Sequence, residues 1–291
     1  MSADVLAGFL PWTVEYLKSN EGAKRILDHI FPPEIQEICP APFHQFSIGG
    51  NLLSVRWPLV AVFCIIGFVS GITMGSKLLY TQRRGSQQVS GYFMWGSTFI
   101  WYGLMCLGGL FTHSIQTSHA HVFYLLDVIA TGCSGMSSVG GFLSAWELID
   151  DRRMIWKVLA TSVYAILCFL AVNTTPMQRD MVYVLPSLAC ILFLVNHRMT
   201  FGRKERSGKL TAADDPRVRG AEKGLDIGVL GTCLAIVSVA ADRYLCQILG
   251  SHGGFLVWVF IGCDISLFGA YKFITELRSL SPTSAFKLKD V

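Results

Sequence analysis

The chain has 291 residues, of which 52% are hydrophobic and only 15% are charged, and its formal net charge is +4. Soluble chains carry about 25% charged residues, and the apolar residues here form long runs that match the thickness of a bilayer, roughly 20 residues each. A single soluble domain is therefore excluded. Nucleic-acid binding is excluded as well, because no polar stretch is long enough to build a basic face. The composition predicts an all-α, polytopic integral membrane protein, so the lipid bilayer is an expected partner.

Residues 1–56 precede the first apolar run and predict a lumenal or extracellular N-terminal segment. Apolar and aromatic residues over 5–17 favour an interfacial helix, and residues 21–31 predict a second short helix that ends before a Pro-Pro pair. The first residues include Asp4 and no basic cluster, unlike a secretory signal or a mitochondrial presequence. We therefore expect an endomembrane or the plasma membrane, although the sequence does not say which.

Seven apolar runs follow, and each predicts a membrane-spanning helix. The predicted ranges are 57–80, 91–113, 120–146, 154–173, 181–196, 225–241 and 254–273. The fifth run is short, but a mismatch of this size costs little because the flanking residues can adjust. The predicted membrane domain is thus 57–273, with a polar cytoplasmic loop over 197–224 and a cytoplasmic tail over 274–291.

The basic residues predict the orientation of the bundle. With seven spans, 18 of the 24 Lys and Arg residues fall on the face that carries the C-terminus. Because loops rich in Lys and Arg stay in the cytoplasm, we expect the N-terminus on the lumenal or extracellular side. The sequon that starts at Asn173 falls on that same side. Cys39 and Cys246 share it too, so they are either a disulfide pair or two unrelated thiols.

Small residues at four-residue spacing predict close contacts between helices. Gly67, Gly71 and Gly75 form such a stripe in the first span, and similar stripes of small residues occur in the third and seventh. Membrane helices associate where small residues let their backbones approach. We favour packing within the bundle for these stripes. The alternative is self-association or contact with another membrane protein.

Asp264 is the ionisable residue placed deepest in an apolar run. It lies about ten residues into the seventh span, on the order of 15 Å deep at 1.5 Å per residue, where a charge is costly and usually functional. Hydroxyl groups at a similar depth in other spans could surround it in one polar pocket. These belong to Tyr102, Ser134, Ser137, Ser138 and Tyr164. The pocket would be a proton relay or a ligand anchor, and the alternative is an Asp that joins helices.

A second polar cluster lies at the lumenal ends of the predicted spans. It consists of His113, His119, His121, Asp127, Asp242, Arg243 and His252. Imidazoles and carboxylates at one level suit a zinc site with three protein ligands and a water. The alternative is ordinary enrichment of polar residues at the interface, since no pair of histidines has a diagnostic ligand spacing.

The placement of His113, Asp127 and His252 is similar to that in alkaline ceramidases and progestin/adipoQ receptors, a seven-helix, hydrolase-like superfamily. Its pattern is Ser-x3-His ending the second span, Asp in the third and His-x3-His in the seventh. This chain has Gly109 and Leu256 at the positions of the Ser and the second His. The resemblance implies zinc and lipid amide hydrolysis, on an incomplete motif that covers about a quarter of the chain.

Three functions follow from these patterns. We expect a non-catalytic multi-pass membrane component or scaffold with an intramembrane ligand pocket around Asp264. The first alternative is a transporter or receptor that uses the same pocket. The second is a metal-dependent lipid amide hydrolase that uses His113, Asp127 and His252 with zinc. The residues do not identify a ligand, a partner or an oligomeric state.

Overall fold

The architecture is a bundle of long helices preceded by one β-hairpin. The computed structural model describes residues 44–48, 51–84, 91–115, 117, 119–145, 148–150, 152–173, 176–206, 216–241, 245, 248 and 254–279. The helices are α1 (Pro58–Arg84), α2 (Tyr92–Gly109), α3 (Ala120–Ala145), α4 (Met154–Asn173), α5 (Pro176–Arg206), α6 (Pro216–Ala240) and α7 (Gly254–Ser279). The prediction of an all-α polytopic membrane fold is confirmed.

Among the described residues, five segments are long and apolar enough to cross a membrane. They are Pro58–Thr81, Tyr92–Ser114, Ala120–Ala145, Met154–Asn173 and Leu256–Glu276. Each coincides with one of the predicted runs, because roughly 20 apolar residues in a row satisfy both the bilayer and their own backbone hydrogen bonds only as a helix.

Two helices occupy much of the stretch 197–224 for which the sequence predicts a polar connection between spans. α5 continues to Arg206 and α6 begins at Pro216, so both run well beyond the apolar residues. Arg198 explains the extension. Its guanidinium donates hydrogen bonds of 2.6 Å to Asp226 Oδ1 and 3.2 Å to Glu222 Oε1, which ties the polar end of α5 to that of α6. α7 likewise extends past the predicted limit of 273 to Ser279.

A β-hairpin precedes α1, and the sequence analysis did not predict it. Strand β1 (His44–Ile48) pairs with β2 (Asn51–Val55) in antiparallel register, with His44 opposite Val55. The next residue, Arg56, donates its backbone N–H to Ser114 O at 2.7 Å, so the hairpin is attached to the end of α2. The Gly-Gly pair at positions 49–50 is the sequence signal that could have predicted the hairpin, because two glycines suit a two-residue hairpin turn. The two predicted interfacial helices lie outside the described residues.

Six helices close into a ring, and α4 lies outside it. Each helix of the ring contacts the next one in the order α1, α2, α3, α5, α6, α7, and α7 contacts α1 to close the ring. α4 packs on α3 and α5. α4 accordingly leaves most of its surface exposed, including Met154 and Phe169. An exposed apolar helix face is what a bilayer solvates, so α4 fits the rim of the bundle.

Glycines set the distances between neighbouring helices. A Cβ on Gly71 would lie 2.6 Å from Phe99 O, so α1 touches the backbone of α2 at that point. A Cβ on Gly231 would clash with Gly262 O and Ser266 N, which brings α6 equally close to α7. Gly75 also faces α2, at Gly96 O. The stripe in α1 therefore lies inside the bundle.

Candidate intramembrane ligand site

Asp264 lies in the middle of α7, where that helix faces α1 and α2. The Tyr102 hydroxyl of α2 donates a hydrogen bond of 2.7 Å to Asp264 Oδ1. Tyr102 itself is 6% exposed, so its phenol ring fills the interior of the bundle while its hydroxyl reaches the carboxyl group. Because the bond joins two helices inside the apolar region, it fixes the direction of the Asp264 side chain.

Gly67 provides the space that Asp264 occupies. A Cβ at this position would lie 2.7 Å from Asp264 Oδ1 and 2.5 Å from Cys106 Sγ. Any side chain on α1 here would therefore push against the carboxyl group. The glycine was predicted as a packing residue, and the structure places it directly against the candidate site.

The second carboxyl oxygen of Asp264 has no partner within the described part of the chain. Oδ2 is buried and accepts no hydrogen bond from any described residue. No described Lys, Arg or His pairs with Asp264. A buried carboxyl oxygen without a partner costs free energy, about 1–3 kcal/mol or more if it is charged.

A cleft of about 360 Å³ reaches Asp264 from the side of the bundle. Its walls come from α1, α6 and α7. The lining residues are Ile66, Ser70, Met74, Ile227, Asp264, Ile265, Leu267 and Phe268. The volume falls in the range of small-molecule sites, and an apolar lining with a few polar groups is typical of them.

Two residues that line the cleft are exposed on the outer surface of the bundle. Ile66 on α1 is 45% exposed and Phe268 on α7 is 53% exposed, so the two side chains stand where the bundle meets the acyl chains. Ile66, Ser70 and Met74 also line the cleft, although they were not predicted from the sequence as site residues. Their four-residue spacing places them on one face of α1, beside the glycine stripe, and this spacing is the signal that could have found them.

The other predicted hydroxyl groups do not meet Asp264. Ser137 Oγ and Tyr164 Oη lie 2.7 Å apart and join α3 to α4. Ser134 donates to Thr98 O at 3.1 Å, and Ser138 donates to Ser134 O at 2.9 Å. The hydrogen bonds of these hydroxyl groups are therefore made with α2, α3 and α4 and not with Asp264. Short hydroxyl side chains bond readily to nearby helix carbonyls. Of the predicted set, the structure brings only Tyr102 to Asp264.

His113 and Asp127 do come together at one end of the bundle. His113 Nε2 lies 3.4 Å from Asp127 Oδ2. His113 sits in a π-helical turn, Leu110–Ser114, which follows α2 and widens its last turn. Gly108 lets α3 approach, since a Cβ there would lie 2.6 Å from Asp127 N. The pair is half-buried and joins α2 to α3.

The rest of a zinc site is not assembled from the described residues. No group of three His, Cys, Asp or Glu side chains among them could hold a metal ion. His119 and His121 are exposed. His252, Asp242 and Arg243 lie outside the described residues, as do Cys39 and Cys246. The position of the family serine is filled by Gly109, whose Cβ would lie 3.1 Å from the Phe260 ring. The described donor set thus supplies two of the three ligands that zinc needs.

Comparisons of this chain with protein-family models, with curated proteins and with solved structures find no match. The fold defines the chain as an all-α polytopic membrane protein. Two polar arrangements in the bundle are candidate functional sites, Asp264 with Tyr102 and His113 with Asp127.

Proposed function

We propose that the protein is a non-catalytic, seven-span membrane component that binds a small ligand at Asp264. The proposal places the N-terminus on the lumenal or extracellular side and the C-terminus in the cytoplasm. The distribution of Lys and Arg supports this orientation, since the face assigned to the cytoplasm carries three quarters of them.

One observation carries the ligand site. Asp264 Oδ2 is buried without a hydrogen-bond partner among the described residues, although Oδ1 of the same carboxyl group accepts a bond from Tyr102. A carboxyl group whose only role was to join helices would use both oxygens within the protein, because each unsatisfied polar atom in a bilayer is costly. Asp264 also lines a cleft that has room for a small molecule beside this residue.

Native mass spectrometry of the protein released gently from membranes tests this proposal. The wild type is expected to retain a small molecule, and Ser70→Trp is expected to lose it because the indole ring fills the cleft. The matched control is Phe169→Trp on α4, which enlarges an exposed side chain far from the cleft and should leave the bound mass unchanged. Folding of both variants is checked by their thermal unfolding.

Two results would contradict the proposal. The first is a wild type that carries no molecule beyond bulk phospholipid when purified from several membranes. The second is a bound molecule that Ser70→Trp and Phe169→Trp retain equally, since the ligand would then lie elsewhere.

His113 and Asp127 support a second candidate function, a metal-dependent lipid amide hydrolase. Asp127 would hold the His113 ring in place by accepting its N–H, as carboxylates do for many metal-bound histidines, or both side chains would bind zinc directly. The test is the zinc content of the purified protein beside His113→Ala. Near-stoichiometric zinc that disappears in the variant would favour the hydrolase, and equal zinc in both would exclude this pair as its site.

A further inference from the structure

Asp264 has no ion-pair partner among the described side chains. The described ion pairs involve Asp127, Asp150, Glu222 and Asp226, and Asp264 belongs to none of them. Tyr102 stabilises one oxygen with a neutral hydrogen bond. Because a buried carboxylate needs a cation or several donors, its most effective partner would be a positively charged donor that reaches the carboxyl group from the cleft.

The cleft restricts the shape of that donor. Ile66, Met74, Ile227 and Phe268 surround the carboxyl group with apolar surface, so the remainder of the ligand must be apolar too. Ser70 is the other polar lining residue, and its hydroxyl oxygen can accept a second hydrogen bond. An ammonium group has three N–H donors and no acceptor, which matches two oxygens on facing walls.

The route into the cleft is from the bilayer. Ile66 and Phe268 line the cleft, and both are about half exposed on the apolar outer surface of the bundle. A compound that dissolves in the membrane can therefore move sideways between α1 and α7 without crossing the bundle. A compound of this kind with an ammonium group would have an otherwise apolar structure, with the amine at its end or within it.

We propose that the ligand of this site is a lipophilic amine, which enters from the bilayer and places its ammonium group against the Asp264 carboxyl group and beside the Ser70 hydroxyl. The inference rests on the proposed function and adds the chemical class of the ligand. Pairing of the ammonium with the carboxylate removes the cost of burying either charge alone. The apolar body replaces lipid against the cleft walls.

Photoaffinity labelling in reconstituted vesicles tests the inference. Three probes share one diazirine-bearing alkyl chain and end in a primary amine, an alcohol or a carboxylic acid. The amine is expected to label peptides of α1 or α7 near the cleft, and unlabelled alkylamine should compete. Labelling by the alcohol should be weaker by roughly tenfold, about 1.4 kcal/mol, because a neutral hydroxyl donor binds a carboxylate less strongly than an ammonium group does. The acid should label least.

Two variants assign the effect to the two oxygens. Asp264→Asn retains the size of the side chain but not its charge, so amine labelling should fall to the level of the alcohol. Ser70→Ala should weaken amine labelling by a smaller factor, and Phe169→Trp should leave it unchanged. Probe competition in the wild type tests the inference even if Asp264→Asn does not fold.

Equal labelling of the cleft by amine and alcohol would overturn the inference, because the site would then bind neutral amphiphiles. The proposed function would stand in that case, since a ligand would still occupy the cleft. Uniform labelling of all lipid-facing helices by all three probes, with no bound mass in native mass spectrometry, would overturn both. Loss of amine labelling in Asp264→Asn with unchanged alcohol labelling would support the inference most specifically.

Discussion

Gly67 and Asp264 are adjacent across the interface of α1 and α7, so closely that a Cβ on the glycine would lie 2.7 Å from the carboxyl oxygen Oδ1. The same oxygen accepts the Tyr102 hydrogen bond. Three helices therefore define the position of a single carboxyl group. Because the group is so constrained, small substitutions around it have specific expected effects.

Gly67→Ala should displace Asp264 and destabilise the bundle. The added methyl group must move Cys106 Sγ or the carboxyl group, and overpacking of this kind costs about 1–3 kcal/mol. Thermal unfolding in detergent measures the loss. The control is Gly228→Ala in α6, where the nearest atom to a new Cβ is Ser266 O at 3.7 Å. That variant should be neutral or slightly stabilised, and equal losses in both would contradict the geometry.

Tyr102→Phe should weaken ligand retention as well as stability. It removes the donor to Asp264 Oδ1, which leaves the carboxyl group without its described partner and costs about 1–3 kcal/mol. Tyr164→Phe makes the same chemical change at the bond to Ser137, away from the cleft. The two variants should lose comparable stability. Only Tyr102→Phe should reduce the bound mass seen by native mass spectrometry.

Arg198→Met should loosen the polar ends of α5 and α6. The variant leaves Glu222 and Asp226 close together without their shared cation. Because the guanidinium is 29% exposed, screening by water limits the expected cost to about 1 kcal/mol. Unfolding at low and high salt measures it. The difference between wild type and variant should shrink at high salt, and a salt-independent difference would count against an ion pair.

Asp150 predicts a local dependence of stability on pH. The hydrogen bond from the Arg152 side chain holds the pKa of the Asp150 carboxyl below its usual range. Since the folded pKa is lowered, the stabilisation is present above the ordinary carboxyl pKa and is lost as the pH falls through the folded value. Asp150→Asn should therefore lower the unfolding temperature at pH 7 and have no effect in strong acid. A deficit that persists in acid would contradict this interpretation.

The number of spans can be tested with two engineered cysteines. In a seven-span topology, positions 174 and 207 lie on opposite faces, because α5 separates them. Thr174→Cys should react with an impermeant maleimide from the lumenal or extracellular side and Ser207→Cys from the cytoplasm. Reaction of both from the same side would show that α5 does not cross, which would leave the five spans defined by composition.

The sequence located the helices well because the bilayer dictates them. Each long apolar run must be a helix, so the ranges of α3 and α4 were predicted within one residue. The charged ends of α5 and α6 resemble a loop in the sequence, because no local pattern indicates that Arg198 bonds to Glu222 and Asp226 on another helix.

The site was predicted only in part. The sequence indicates how deep a residue lies in the membrane, but it says less about which direction the side chain takes around the helix axis. Asp264 and Tyr102 are 162 residues apart, and their shared depth indicated a meeting. Ser134 and Ser137 have a similar depth but point to other neighbours. Which way a helix turns depends on close contacts such as that of Gly71 with Phe99 O, and these emerge only from the assembled bundle.

The most direct test of the Asp264 site is a cryo-electron microscopy map of the wild type in lipid nanodiscs, compared with Ser70→Trp. We expect density between Ile66 and Phe268 that reaches Asp264 Oδ2 in the wild type and is absent from the variant. A map in which a protein side chain bonds to Oδ2, or in which the cleft is closed in both proteins, would contradict the account.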